Sequence, residues 1–280
     1  MTVLFALLSA AGYGFADFIA GVCSRRSDAT LVTMFSQGIG GIVVLVVCLV
    51  TGAHNSMPAL MWGALAGVGS GFGALALYRG FAIGRISVVA PVSAVTVAAV
   101  PALVGVLLGE RPSAIAWMGI ALAIPATALI GRVGDAHVGP SGFVEGLAAG
   151  IAFSLLFIAL HGAGNDSGLW PVVWQCLVAF LVLLPLGLRA WRHDDHAVMA
   201  RRLLQPAVLA GVIASGALAG LASAWFLIAS SGGLTISAVI TSLYPAFTVL
   251  LAFVFLHERV RHVQAVGLAM AAVSVVLVTI

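Results

Sequence analysis

Leu108-Gly109-Glu110-Arg111 closes one long apolar run, and Leu256-His257-Glu258-Arg259 closes another, 148 residues further on. At the same offset Gly63 falls on Gly211, Gly84 on Gly232, Ser93 on Thr241, Thr96 on Tyr244 and Gly119 on Gly267. Nearer the start the echo runs at an offset of 138, with Gly12 on Gly150, Phe15 on Phe153 and Gln37 on Gln175. The ten-residue difference is taken up by the long polar connection at 189–202. A sequence that repeats itself at a fixed offset is read first as a repeated architecture. Two units follow, residues 1–135 and residues 142–280.

Composition sets the solvent in which those units fold. Hydrophobic residues make up 62% of the chain and charged residues 8%, against about 25% charge in a soluble domain. Mean hydropathy is +1.19. Apolar runs of about 20 residues, long enough to cross a bilayer as helices, lie at 2–22, 31–51, 59–78, 86–107, 114–131, 142–160, 169–188, 203–227, 234–255 and 263–280. Barrel strands would read instead as shorter alternating segments. The expectation is an all-α integral membrane protein of ten transmembrane helices, five in each half. The opening MTVLFALLSA lacks the basic start of a secretory signal, so the first run reads as a retained span. Five is odd, so the second half enters the membrane the other way up and the repeat is inverted, the architecture of alternating-access transport.

Several chemistries are excluded by pattern. All twelve basic residues are Arg, scattered singly or in pairs, so no basic face tracks a nucleic-acid backbone. Cys23, Cys48 and Cys176 show no metal or disulfide spacing. Gly67-Val68-Gly69-Ser70-Gly71-Phe72-Gly73 follows no strand and does not fit the dinucleotide pattern; its glycines at 67/71 and 69/73 read as two ridges for close helix packing. His193-Asp194-Asp195-His196 reads as a solvated loop, since four adjacent residues present no preorganised metal geometry. No P-loop is present to drive pumping with ATP. No cofactor and no metal is expected.

Candidate site residues are polar groups within the apolar runs. Gln37 with Gln175, Ser93 with Thr241, and Thr96 with Tyr244 recur at equivalent positions, as residues lining a central cavity would. Ser237, Thr241 and Tyr244 stand at i, i+4 and i+7, one stripe of a helix. Interhelical hydrogen bonding accounts for such residues equally well. Asp17 is the one acid well inside a run, and an intramembrane charge is a functional hypothesis by default. Tyr13 lies one turn before it. By rise along their helices, Asp17 and Arg79 reach similar depth, so the two are expected to meet, either as a structural pair or with Asp17 taking up a proton or a substrate amine. Their counterparts in the other half are Leu155 and Leu227.

The order and spacing of Leu-Gly-Glu-Arg at 108–111, its echo at 256–259, Tyr244-Pro245-Ala246-Phe247-Thr248 and Tyr13-Gly14 resemble the EamA-type members of the drug/metabolite transporter superfamily. The resemblance covers the whole chain and implies ten spans in two five-helix repeats, with spans five and ten peripheral. It implies a transporter, not an enzyme, that moves a small metabolite, amino acid or drug, usually outward. Val97 stands where the family's proline stands as Pro245 in the second half, and His257 replaces the usual Gly. The alternatives are an intramembrane enzyme acting on lipid-like substrates and a passive channel. The expected partners are a small-molecule substrate, protons as a coupling ion, and membrane lipids, with no nucleic acid; one chain suffices, and a dimer is compatible. Eleven of the twelve arginines fall in odd-numbered connections, counting Arg79 at the membrane edge. The positive-inside rule then puts both termini outside an inner (plasma) membrane.

Overall fold

The structure is a computed structural model that describes residues 1–83, 86–130, 140–164, 166–193, 201–256 and 262–279. Arg85, Arg132, Asp194 to His196 and the echo residues His257, Glu258 and Arg259 lie outside these. The described residues form eleven helices: α1 (Thr2–Ser24), α2 (Ala29–Thr51), α3 (Met57–Ile83), α4 (Ile86–Leu107), α5 (Ala114–Ile130), α6 (Pro140–Ala163), α7 (Trp170–His193), α8 (Pro206–Ser230), α9 (Leu234–Thr241), α10 (Tyr244–Leu256) and α11 (His262–Thr279). The protein is all-α. Six of the helices, α1, α2, α3, α6, α7 and α8, are long and apolar enough to cross a membrane, while apolar stretches such as Val92–Leu107, Ala114–Ala126 and Leu234–Thr248 are shorter.

Eleven helices appear where ten spans are expected because the ninth run is broken at Ser242 and Leu243. Pro245 has no N–H to offer the carbonyl four residues back, and its ring crowds that carbonyl. The carbonyl belongs to Thr241, the residue on which α9 ends. The Ser242 N–H closes α9 onto the Ala238 and Ile240 carbonyls, and α10 restarts at Tyr244. In the first half Val97 keeps its N–H, and α4 runs through the equivalent point.

Helix ends follow local chemistry. Asp28 starts α2 by accepting from the N–H groups of Thr30 at 2.8 Å and Leu31 at 3.0 Å, meeting donors that a helix N-terminus otherwise leaves unpaired. Gly52, at φ +66°, ends the helix in the left-handed conformation that glycine tolerates. At the same end of the molecule the Trp170 indole donates to the Ala53 carbonyl at 2.7 Å and the Trp174 indole to Asn55 Oδ1 at 2.9 Å. These are the amphipathic contacts expected of tryptophan at a membrane interface.

Packing pairs the helices in a pattern that survives exchange of the two halves. α3 packs on α6 and α7, and α8 packs on α1 and α2. α4 lies against α6, while α9 and α10 lie against α1. α2 pairs with α7, and α5 with α11. With lipid outside there is no hydrophobic drive between spans, so close contact depends on small residues. The two glycine ridges of α3 serve different neighbours. A Cβ at Gly67 would stand 2.5 Å from the Gln175 carbonyl oxygen of α7, and one at Gly69 would stand 2.5 Å from the Ala152 carbonyl oxygen of α6. Between α2 and α8, a Cβ on Gly40 would lie 2.7 Å from the Gly216 carbonyl oxygen.

Candidate functional site

Close packing of α1, α3, α7 and α8 brings polar side chains into the middle of the bundle. Asp17 on α1 is 5% exposed. Tyr78 on α3 donates its hydroxyl to Asp17 Oδ1 at 3.2 Å. One turn before Asp17, the Tyr13 hydroxyl shares a hydrogen bond with Ser223 Oγ of α8 at 2.6 Å. Its ring meets Phe157 edge-on, with centroids 5.8 Å apart, and Phe157 in turn lies 4.3 Å from Phe226. Between Tyr13 and Asp17, Gly14 lets the start of α10 lie against α1: a Cβ there would be 2.6 Å from the Tyr244 carbonyl oxygen. Thr248 fastens the same contact by donating to the Gly14 carbonyl at 3.2 Å. The three tyrosines of the sequence thus border this stretch of α1: Tyr13 one turn before Asp17, Tyr78 bonded to it, and Tyr244 with its carbonyl against Gly14.

A second polar junction sits further along α3. Gln37 Nε2 of α2 and Gln175 Nε2 of α7 both donate to Ser70 Oγ, at 2.9 Å and 3.1 Å. The repeated glutamines therefore converge on one hydroxyl. Gln37 is 9% and Gln175 2% exposed, and Gln175 Oε1 has no hydrogen-bond partner among the described residues.

The expected ion pair between Asp17 and Arg79 is not formed. Arg79 is exposed, because successive helix residues are turned by about 100°, so the helical phase that aims Tyr78 at α1 carries the next side chain away. Every arginine whose side chain the structure describes is exposed. The stripe on the ninth run divides at its break. Ser237 donates to the Ala229 carbonyl of α8 at 2.9 Å, whereas Tyr244 reaches the Ala90 carbonyl of α4 at 3.3 Å. Ser93 and Thr241, equivalent in the repeat, are both fully buried; the Thr241 hydroxyl has no hydrogen-bond partner among the described residues, whereas the Ser93 hydroxyl lies beside that of Tyr244. Thr96 turns back to the Val92 carbonyl at 2.9 Å and packs on α6, where a Cβ at Gly150 would meet its own Cβ at 2.5 Å. Among the described residues, no three His, Cys, Asp or Glu side chains gather where they could hold a metal ion.

Three residues of this arrangement carry no signal in the repeat: Tyr78, Ser70 and Ser223; Glu110, away from the centre, is echoed by Glu258, but the echo does not disclose what it binds. The Glu110 carboxylate, just past the end of α4, accepts from the backbone N–H groups of Leu234 and Thr235, the latter at 2.8 Å. It caps α9 from the other half of the chain. Gly233, at φ +121°, precedes that helix and has no side chain to cap it.

Comparison with known proteins is consistent with this geometry. A solved crystal structure of a protein 17% identical in sequence superposes with a TM-score of 0.70, covering 97% of this chain and 98% of that one, which establishes a shared fold. No match is found among proteins of curated function. The EamA-like transporter family matches residues 1–132 and again residues 140–280. A match along both halves of a multi-pass, all-helical chain, within the drug/metabolite transporter superfamily, means that the protein belongs to the EamA-like transporter family.

Proposed function

We propose that the chain is a secondary transporter of the cytoplasmic membrane, exporting a small metabolite, amino acid or drug-like solute by alternating access. Its two halves, residues 1–135 and 142–280, act as inverted repeats that rock about a common axis, and both termini face outward. The observation that carries this reading is the exchange pattern of the packing, in which α2 meets α7 and each half lays its third helix on the first and second helices of the other. A rocking motion needs two similar bundles with a polar interior between them. Here the interior holds Asp17, the tyrosines around it and the glutamine pair. Asp17 is the coupling group: held by one neutral hydroxyl and no described arginine, it is free to exchange a proton or a substrate amine as access switches sides.

Purified protein in proteoliposomes should move solutes down their gradient without altering them chemically, and an imposed pH gradient should drive accumulation. Asp17→Asn should lose the driven component while keeping its fold. Chemical conversion of a substrate, or full pH-driven transport by folded Asp17→Asn protein, would overturn the reading.

A further inference from the structure

Resting on that reading of transport, we infer a gate and its latch: α9 closes the face of the molecule that carries the N-terminus, and the Glu110 carboxylate holds it shut. Contact fixes which face this is, since Gly232, just before α9, packs on Thr2 at the start of α1. In the proposed orientation it is the outer face.

α9 is built to move as a separate piece. It is eight residues long. Gly232 and Gly233 precede it, the second at φ +121°, a backbone region that glycine enters without the steric cost other residues meet. At the far end the run breaks at Ser242 and Leu243, ahead of Pro245. A few residues at element ends that absorb backbone rotation are what bound a moving segment. The frame beside the glycine hinge is held instead, because His161 of α6 donates through Nδ1 to the Ser230 carbonyl at the end of α8, at 3.0 Å. Between its two breaks α9 carries Ser237 and Thr241, both fully buried, so displacing it uncovers two hydroxyls of the candidate site.

The latch stands on a rigid hook. α4 ends in a turn where the Leu108 N–H returns to the Val104 carbonyl at 2.9 Å and the Glu110 N–H to the Gly105 carbonyl at 3.0 Å, with Gly109 at φ +99°. This left-handed closure of a helix swings Glu110 back over Gly105, where a Cβ would lie 2.7 Å from Glu110 Oε2. From there the carboxylate takes the N–H groups of Leu234 and Thr235, the latter at 2.8 Å. Thr235 in turn donates its hydroxyl to the Ala102 carbonyl at 3.4 Å. A helix capped by its own neighbouring residue keeps that cap wherever it goes. α9 is capped from the other half of the chain, so its cap exists only while the ends of α4 and α9 touch, and opening this face must first release Glu110. The release is reversible in scale: an N-cap shifts an equilibrium by roughly 2- to 30-fold, within the range that leaves two conformations both populated.

Accessibility tests this without knowing the solute. In the full chain carrying Cys23→Ala, Cys48→Ala and Cys176→Ala, Thr241→Cys reports the buried side of α9 to a membrane-impermeant methanethiosulfonate, applied to intact cells and to inverted vesicles. Glu110→Ala should speed labelling about 2- to 30-fold from the N-terminal face alone, and Glu110→Gln by less. A covalent latch gives the opposite result with Glu110 intact. A Cβ on Gly105 would touch Thr235 Oγ1, which brings Gly105→Cys and Thr235→Cys within the roughly 3.5–4.5 Å between Cβ atoms that a disulfide spans. Oxidising that pair should stop labelling from the N-terminal face until it is reduced. Labelling that Glu110→Ala leaves unchanged, that rises equally from both faces as general loosening would make it, or that persists through the disulfide overturns the gate. Uptake of a mixed pool of labelled metabolites separates the two levels. Where the unaltered protein takes up solute, the oxidised pair must block uptake and reduction restore it; uptake through the locked protein overturns the gate. No uptake of any solute by the unaltered protein, with labelling still governed by Glu110, removes transport and leaves the gate standing.

Discussion

Ser70 accepts from Gln37 and Gln175 together, so one hydroxyl joins α2, α3 and α7. Hydrogen bonds between spans contribute about 0.6 kcal/mol on average and up to about 1.7; Ser70→Ala should therefore cost about 1–3 kcal/mol in reversible unfolding from mixed micelles. Gln37→Leu made on top of Ser70→Ala should add less than it does alone, because residues in one network are not additive. Full additivity would mean that the shared hydroxyl is not the link. The glutamines were legible as a repeat, since 37 and 175 are equivalent positions, but the serine between them has no echo: its counterpart is Leu218. Tyr78 was hidden differently. Arg79 beside it carries the charge that an electrostatic reading seeks for Asp17, yet helical phase already argued against the arginine. Nine residues separate it from Ser70, which at about 100° each sets the two on opposite faces of α3.

At the level of helices, the cap on α9 is the part that local sequence could least reveal. Gly233 precedes α9 without a side chain to accept from the first N–H groups, and a helix start lacking Ser, Thr, Asp or Asn needs its acceptor from elsewhere. That absence was readable; the identity of Glu110, 124 residues earlier, was not. Glu110→Ala should lower stability by about 0.5–2 kcal/mol, and Glu110→Gln by less, since the amide retains one oxygen for Leu234 and Thr235; a thermal melt distinguishes them. The ridges on α3 make a second prediction. Gly67→Ala places a Cβ 2.5 Å from the Gln175 carbonyl oxygen and 2.8 Å from Val178 Cβ, so the helices must separate at a cost of about 1–3 kcal/mol. Because Gln175 moves with α7, the same variant should weaken the coupling between Gln175 and Ser70 measured by the double-mutant cycle. The break between α9 and α10 follows from Pro245, whose missing N–H the sequence states outright; which of the two resulting ends faces α1 depends on tertiary contact at Gly14.

For the molecule as a whole, hydropathy was the strongest signal for the all-helical class, and six of its ten apolar runs stand as helices long and apolar enough to cross a membrane, because such a signal is carried by many residues at once. Which residues meet depends on rotation of each helix about its own axis, and apolar spans with lipid on one side carry little phase information in their hydropathy. Orientation is likewise a global property. The proposed orientation, with the arginine-rich odd-numbered connections in the cytoplasm by the positive-inside rule, predicts that a C-terminal alkaline-phosphatase fusion is active and a C-terminal fluorescent fusion dark. The reverse pair of results would invert the assignment. The lone Ser70 at the meeting of two glutamines has one more consequence. With Leu218 at the equivalent position, the hydroxyl that joins Gln37 to Gln175 comes from the first half alone, so the two halves are not interchangeable at their centre. Moving the hydroxyl to 218 in a Ser70→Leu, Leu218→Ser double variant should not restore the stability that Ser70→Leu loses.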